Sequence, residues 1–143
     1  MAALADADAV PPVIAYLAAH PAVTAALGGP GRVGGDNAPP YPRLRIADMP
    51  GGSENLRTKV VGQRIQIEAL GMLDGPTIGK EALRRILYTV LDALAQLPEA
   101  PAGTGRAVVS DVGSAVAGGY VPLADGRPRY VATLTVTVRP GPG

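Results

Sequence analysis

The sequence predicts an α+β fold: a mainly antiparallel sheet of about four to five strands with two main helices packed on one face, in the order α-β-β-α-β-β. Three observations carry this. Residues 127–140, "RPRYVATLTVTVRP", alternate strictly, with Tyr130, Ala132, Leu134, Val136 and Val138 on one side and Val131, Thr133, Thr135 and Thr137 on the other. Period-two alternation rich in β-branched residues marks a strand with one buried face. Residues 78–97 place Leu83, Ile86, Leu87, Val90, Leu91, Leu94 and Leu97 at three- and four-residue spacing, the stripe of an amphipathic helix. The 19 glycines and 15 prolines cluster at 28–42, 50–52, 98–105, 118–128 and 139–143, so they punctuate ordered segments and do not form one disordered block.

The elements follow in order. A helical region over 8–28 starts after Asp8, which can cap it, with Pro11 and Pro12 tolerated in the first turn. Val13, Ile14, Tyr16 and Leu17 form its apolar side, Pro21 breaks or restarts it, and Gly28 closes it. "GRVGG" holds a short extended piece. "YPRLRIAD" alternates Leu44 and Ile46 with Arg43 and Arg45, a strand with one wet face. Residues 49–59, "MPGGSENLRTK", read as a polar loop, long for a hairpin. In "VVGQRIQIEAL", Val61, Ile65, Ile67 and Ala69 point inward and Arg64, Gln66 and Glu68 outward, while Gln63 interrupts the inward side. "GMLDGPT" is a turn in which Thr77 or Asp74 can cap the long helix. "PEAPAGTG" is a loop, "RAVVSDVGSAV" a strand with an irregular middle, and Asp125-Gly126 a turn into the final strand. A Gly/Pro tail, 139–143, ends the chain, and the length of 143 residues fits one domain, 1–143.

Composition excludes several functions. Thirteen basic and twelve acidic residues nearly cancel, and the longest basic run is Arg84-Arg85, without the clustered stripe that strong nucleic-acid binding requires. The absence of cysteine rules out disulfides and thiolate metal sites. The N-terminus carries two Asp and no early Lys or Arg, unlike a secretory signal. Residues 9–31 lack formal charge over 23 positions, long enough to span a bilayer, but hold four Pro, a His and three Gly. The expectation is a soluble chain without a membrane partner.

No catalytic, cofactor-binding or metal-binding residue is predicted, and the chain is not expected to be an enzyme. "GPGRVG" (29–34) matches G-x-G-x-x-G but follows a helix and leads to extended chain, the inverse of a dinucleotide site. "GPTIGKE" (75–81) places Lys80 after a glycine. It is one residue short of a phosphate loop, and Glu81 stands where a magnesium-binding hydroxyl belongs. His20, the single histidine, sits beside Pro21 and reads as a cap or junction residue. Ser53, Ser110 and Ser114 lie in no nucleophile elbow. Nothing in their spacing pairs Asp92, Asp111 or Asp125. Arg43, Arg45 and Arg64 fall on the polar faces of adjacent strands, and Glu54, Arg57 and Lys59 lie in or beside the 49–59 loop. With Thr133, Thr135 and Thr137 they are the candidate subunit or partner contacts, a solvated strand face being the alternative.

Taken together, "AYLAAHPAVTAALGG-PGRV", "PPYPRLRI", "VVGQRIQIEALG", "GKEALRRILYTVLDAL" and "DGRPRYVATLTVTVRP" resemble the tail terminator proteins of long-tailed bacteriophages, also called tail completion or head–tail joining proteins. The resemblance covers residues 8–140 and rests on element order and short phrases, not on catalytic residues. It implies a structural virion protein, made in the host cytoplasm, that forms a homo-oligomeric ring, commonly of six subunits. That ring caps the tail tube protein, stops its polymerisation and joins the tail to the head-completion or neck protein. Genomic DNA passes through the lumen without being read, which a near-neutral chain suits, because each neutralised phosphate adds to retention. Two alternatives stay open: a head-completion or stopper protein of the neck, and a small soluble binding or enzyme domain that would use Lys80 or His20.

Overall fold

Residues 3–72, 79–99 and 107–141 are described by a computed structural model. A 3-10 turn (Leu4–Asp6) precedes α1 (Val10–Ala19), α2 (Pro21–Leu27), β1 (Val33–Gly34), β2 (Arg43–Glu54), β3 (Val61–Leu70) and α3 (Lys80–Leu94). A second 3-10 turn (Leu97–Glu99), β4 (Val108–Tyr120) and β5 (Arg129–Arg139) complete the order. The fold is α+β. The sheet runs β1-β2-β3-β5-β4 among the described residues. It is antiparallel except where β1 pairs parallel with Leu44 and Arg45 of β2, so it is mixed. Three α-helices stand where two main ones were expected, because the proline break produces two separate pieces.

That break has a local cause. Pro21 has no N–H to continue α1, and His20 adopts an extended conformation. His20 ends α1 and caps α2, its Nδ1 accepting from Ala22 N at 3.2 Å. The two pieces meet at 77°. Gly28, at φ 87°, closes α2 in the left-handed conformation that glycine adopts without a Cβ penalty. Tyr16 then ties α1 to α3, donating its hydroxyl to the Ala93 carbonyl at 2.8 Å. No single helix among the described residues is long and apolar enough to cross a membrane.

Both periodicities read from the sequence converge in one core. Tyr130, Ala132, Leu134, Val136 and Val138 of β5 are buried with Ile65, Ile67 and Ala69 of β3 and Leu44 and Ile46 of β2. The helices close over them through Val13, Leu17, Val23, Leu27, Leu83, Ile86, Leu87, Val90 and Leu94. Gln63 fills the one polar gap in the inward face of β3 and serves as a socket for α1. Its Oε1 accepts from Ala9 N at 2.7 Å, and its Nε2 donates to Asp8 at 3.0 Å and Asp48 at 3.1 Å. Asp8 also accepts from Val10 N at 3.1 Å, but it stands one residue before the N-cap, Ala9, which supplies no side-chain cap, so the capping expected of Asp8 is not present.

Three expectations need correction. The 49–59 loop is mostly strand: β2 runs to Glu54, and only the stretch after it turns. The polar composition hid a β-arm because a bulge replaces alternation there, residues 50–52 standing opposite the single residue Gln63 between the pairs Met49–Arg64 and Ser53–Gly62. Glu68, expected outward and wet, is 3% exposed. Arg43 is buried too, paired with Asp36. The terminal strand β5 is interior, flanked by β3 and β4, so its backbone offers no free edge. Pro140 and Gly141 of the C-terminal tail are buried. The predicted cap at Thr77 or Asp74 and most of the 98–105 loop lie outside the described residues.

Candidate functional site

All three helices lie on one face of the sheet, and among the described residues no helix covers the other. Strand register arranges that second face in rows. Ala47, Gln66 and Thr133 form one; Met49, Arg64 and Thr135 the next; Ser53, Gly62, Thr137 and Asp111 the last before the arm. The alternation that fills the core from β5 necessarily sends the threonines here. Thr135 is exposed, and Thr133 and Thr137 are half-buried between neighbouring strands.

One end of this face is closed by charge. Glu68 accepts from Arg129 Nη1 at 3.3 Å and lies 3.5 Å from Arg45 Nη1. Leu70, on the same side, is fully buried although it lies outside the helix-covered core. The connection before β2 and the turn before β5 meet at this end. Arg127 donates to Asn37 and to the Tyr41 hydroxyl, both at 2.9 Å, with its guanidinium 5.2 Å from the Tyr41 ring centre. Arg32 donates to the Tyr41 carbonyl, and Arg43 to the Gly31 carbonyl at 3.3 Å. Arginine's planar fork suits such multiple anchoring.

The opposite end carries the arm. Asn55 organises its tip: its Oδ1 accepts from Arg57 N and Thr58 N at 3.1 Å each, its N–H donates to Val60 O, and its carbonyl accepts from Lys59 N. Arg64 folds back onto the bulge, donating to Pro50 O at 3.4 Å. Glycine is required beside it, since Gly51 has a φ of 105° and a Cβ on Gly52 would run into the Gly62 carbonyl. On the helix side of the arm a cleft of about 650 Å³ is lined by Leu4, Asp8, Asp48, Gly51, Gln63 and Arg64. Among its polar groups, Asp8 and Asp48 both accept from the Gln63 amide.

The structure therefore divides the predicted contact residues. Glu54, Arg57 and Lys59 gather on the arm; Arg64, Thr133, Thr135 and Thr137 share the open face; Arg45 is half-exposed at its closed end; Arg43 is engaged inside the fold. Sequence reasoning missed Leu56, 75% exposed at the arm tip, whose signal was a lone leucine in a polar turn. It also missed Glu68, signalled by Leu70 two residues on, an apolar residue on the supposedly wet side.

Among the described residues no three His, Cys, Asp or Glu side chains converge as a metal site would need. The G-x-G-x-x-G stretch lies between α2 and β1, and the space beside Gly34 is occupied by the Arg43 guanidinium. Lys80 opens α3, and Glu81 beside it pairs with Arg84 at 3.9 Å and Arg85 at 3.4 Å. Neither the protein-family models nor the curated proteins compared with this chain match it.

Proposed function

We propose that this chain is a structural subunit of a ring that caps a phage tail tube, halts its polymerisation and joins the tail to the neck of the head, without catalysis. The observation that best supports this reading is the sheet with two unlike open edges. On one side β4 has no strand partner beyond β5; on the other, β2 has none past Arg45 among the described residues. A closed ring needs two different surfaces per subunit meeting head to tail. Exposed edges are ordinarily blunted by lysine, proline or short length. β4 spans 13 residues with no Lys or Pro and Asp111 as its single charge, although three register shifts bend it. Pairing β2 of one copy with β4 of the next would satisfy both edges and leave the threonine face free for the tube or neck.

The test is electron microscopy of purified protein mixed with tail tubes, with native mass measured on the free protein. Single rings seated at one end of tubes of limited length are expected. Bare tube ends beside a protein that stays monomeric would overturn the reading. Density on the head side only would move the protein to the stopper position.

A further inference from the structure

We infer that neighbouring copies join through an antiparallel β2–β4 pair on matching rows, with Asp111 of one copy meeting Arg64 of the next. The inference rests on the ring reading and names the direction, register and charge contact of its interface.

Direction and level follow from symmetry. Three antiparallel steps, β2 to β3 to β5 to β4, leave the two edge strands running in opposite directions. In a ring whose sheets continue from copy to copy, rotation keeps each residue at one height and one radius. With strands along the axis or radial to it, β4 of one copy therefore lies antiparallel to β2 of the next, row against row. Ser53 then faces Asp111, the two ends of the row Ser53, Gly62, Thr137 and Asp111.

The two edges are irregular at the same levels. The β2 bulge stands opposite Gln63, and the middle shift of β4 begins at Val112, which shares the row of Gln63 through Val136. Nearer the closed end, β1 adds its Gly34 beside Arg45. On that row, through Glu68 and Val131, β4 shifts again between Ala117 and Gly119. One edge gains a strand at the level where the other leaves its regular path. A β4 displaced along β2 would lose both matches.

Charge is placed to agree. Asp111 is exposed and is the single charge on β4. At the other edge the Arg64 guanidinium lies over the β2 bulge, held by a 3.4 Å bond to Pro50 O. Among the described residues neither side chain forms an ion pair. Within one copy the two edges are about 14 Å apart, three strand spacings. Between copies on matching rows, Asp111 stands beside Ser53, the residue that follows the bulge. The backbone ladder holds the copies together, and the charge pair favours this register over a slipped one.

The chain has no cysteine, so a designed pair reports without background. Ser53→Cys with Asp111→Cys, oxidised at high protein concentration, should give a ladder of covalent multimers that ends at the ring number. Bridging needs Cα atoms within about 7 Å, so the pair cannot close within one copy. Met49→Cys with Asp111→Cys, one slipped row away, should give dimers at most. Arg64→Glu or Asp111→Arg alone should weaken association about tenfold, and the two together should restore it. No restoration would overturn the charge contact. A ladder from the slipped pair in place of the matched one would overturn the register. Rings seen by native mass and microscopy with neither ladder would overturn the strand pairing and leave the ring reading standing. A monomer at every concentration with no ladder would overturn both. A matched ladder that never closes would support the pairing and remove the closed ring.

Discussion

Strands β2, β3 and β5 present aliphatic side chains to three helices on one face, and arginine, glutamate, glutamine and threonine on the other. Apart from the Gln63 socket, the first face is closed by contacts between side chains that carry no polar demand, so each of those residues matters in proportion to its volume. The second is closed at one end only, by Glu68 held between Arg45 and Arg129, and stays open over the threonine rows up to the arm. Alternation dictates which residues reach each face, but what covers a face is decided by distant segments. The comparison teaches that stability should follow the covered face and the charged end, and assembly the open rows and the arm.

The largest effect is expected where packing is complete. Leu87 is fully buried in the core between α3 and the sheet. Leu87→Ala should cost about 3 kcal/mol through lost burial and the cavity left behind. Thermal unfolding should shift down by about 10 °C. A loss as small as that of an exposed residue would mean the helices are not seated on this face.

Next comes the charged end. Glu68→Ala removes the carboxylate shared by two guanidiniums, each of which keeps some solvent access. About 2 kcal/mol is expected, less than for a fully desolvated pair. Denaturant titration of Glu68→Ala beside Leu87→Ala ranks the two. Indifference at Glu68 would show that the network is a rim feature and the whole second face is wet.

A smaller and more diagnostic effect is expected at Gln63. Gln63→Leu would complete the apolar side of β3, and pattern alone predicts a gain. The structure predicts a loss of about 1 kcal/mol, because the N–H of fully buried Ala9 loses its acceptor. Hydrogen exchange at the Ala9 amide should accelerate. A more stable variant with unchanged exchange would sink the socket reading.

Gln63 also marks where the sequence stops being legible. Strand β5, helix α3, the His20-Pro21 break, the irregular middle of β4 and the Asp125-Gly126 turn each follow from local periodicity or turn chemistry, and all are present. What local pattern cannot carry is long-range pairing. Gln63 meets Asp8 and Ala9, more than fifty residues away; Glu68 meets Arg129, sixty-one residues away; Arg43 meets Asp36 only because the chain turns back beside β1. The arm was hidden for another reason: a bulge at Pro50, Gly51 and Gly52 erases the alternation by which strands are recognised. Of the candidate contacts, the threonines were legible as a face, and their assignment to an interior strand was not.

The smallest effect on stability is expected in the middle of the open face, where any change should appear in assembly. Thr135 is exposed and stands opposite Arg64. Thr135→Glu sets a carboxylate beside that guanidinium, a cross-strand pair that is neutral to slightly favourable, so monomer stability should stay within about 0.5 kcal/mol. If the threonine rows meet the tube, a protruding charge there should abolish capping of isolated tubes while rings still form, because the sheet edges proposed to join subunits are untouched. Capping at wild-type level would return the threonines to an ordinary solvated face and leave the arm as the surface that carries function. Lost rings with an intact monomer would place the subunit contact on the face itself, and β4 would then need another explanation for its open edge.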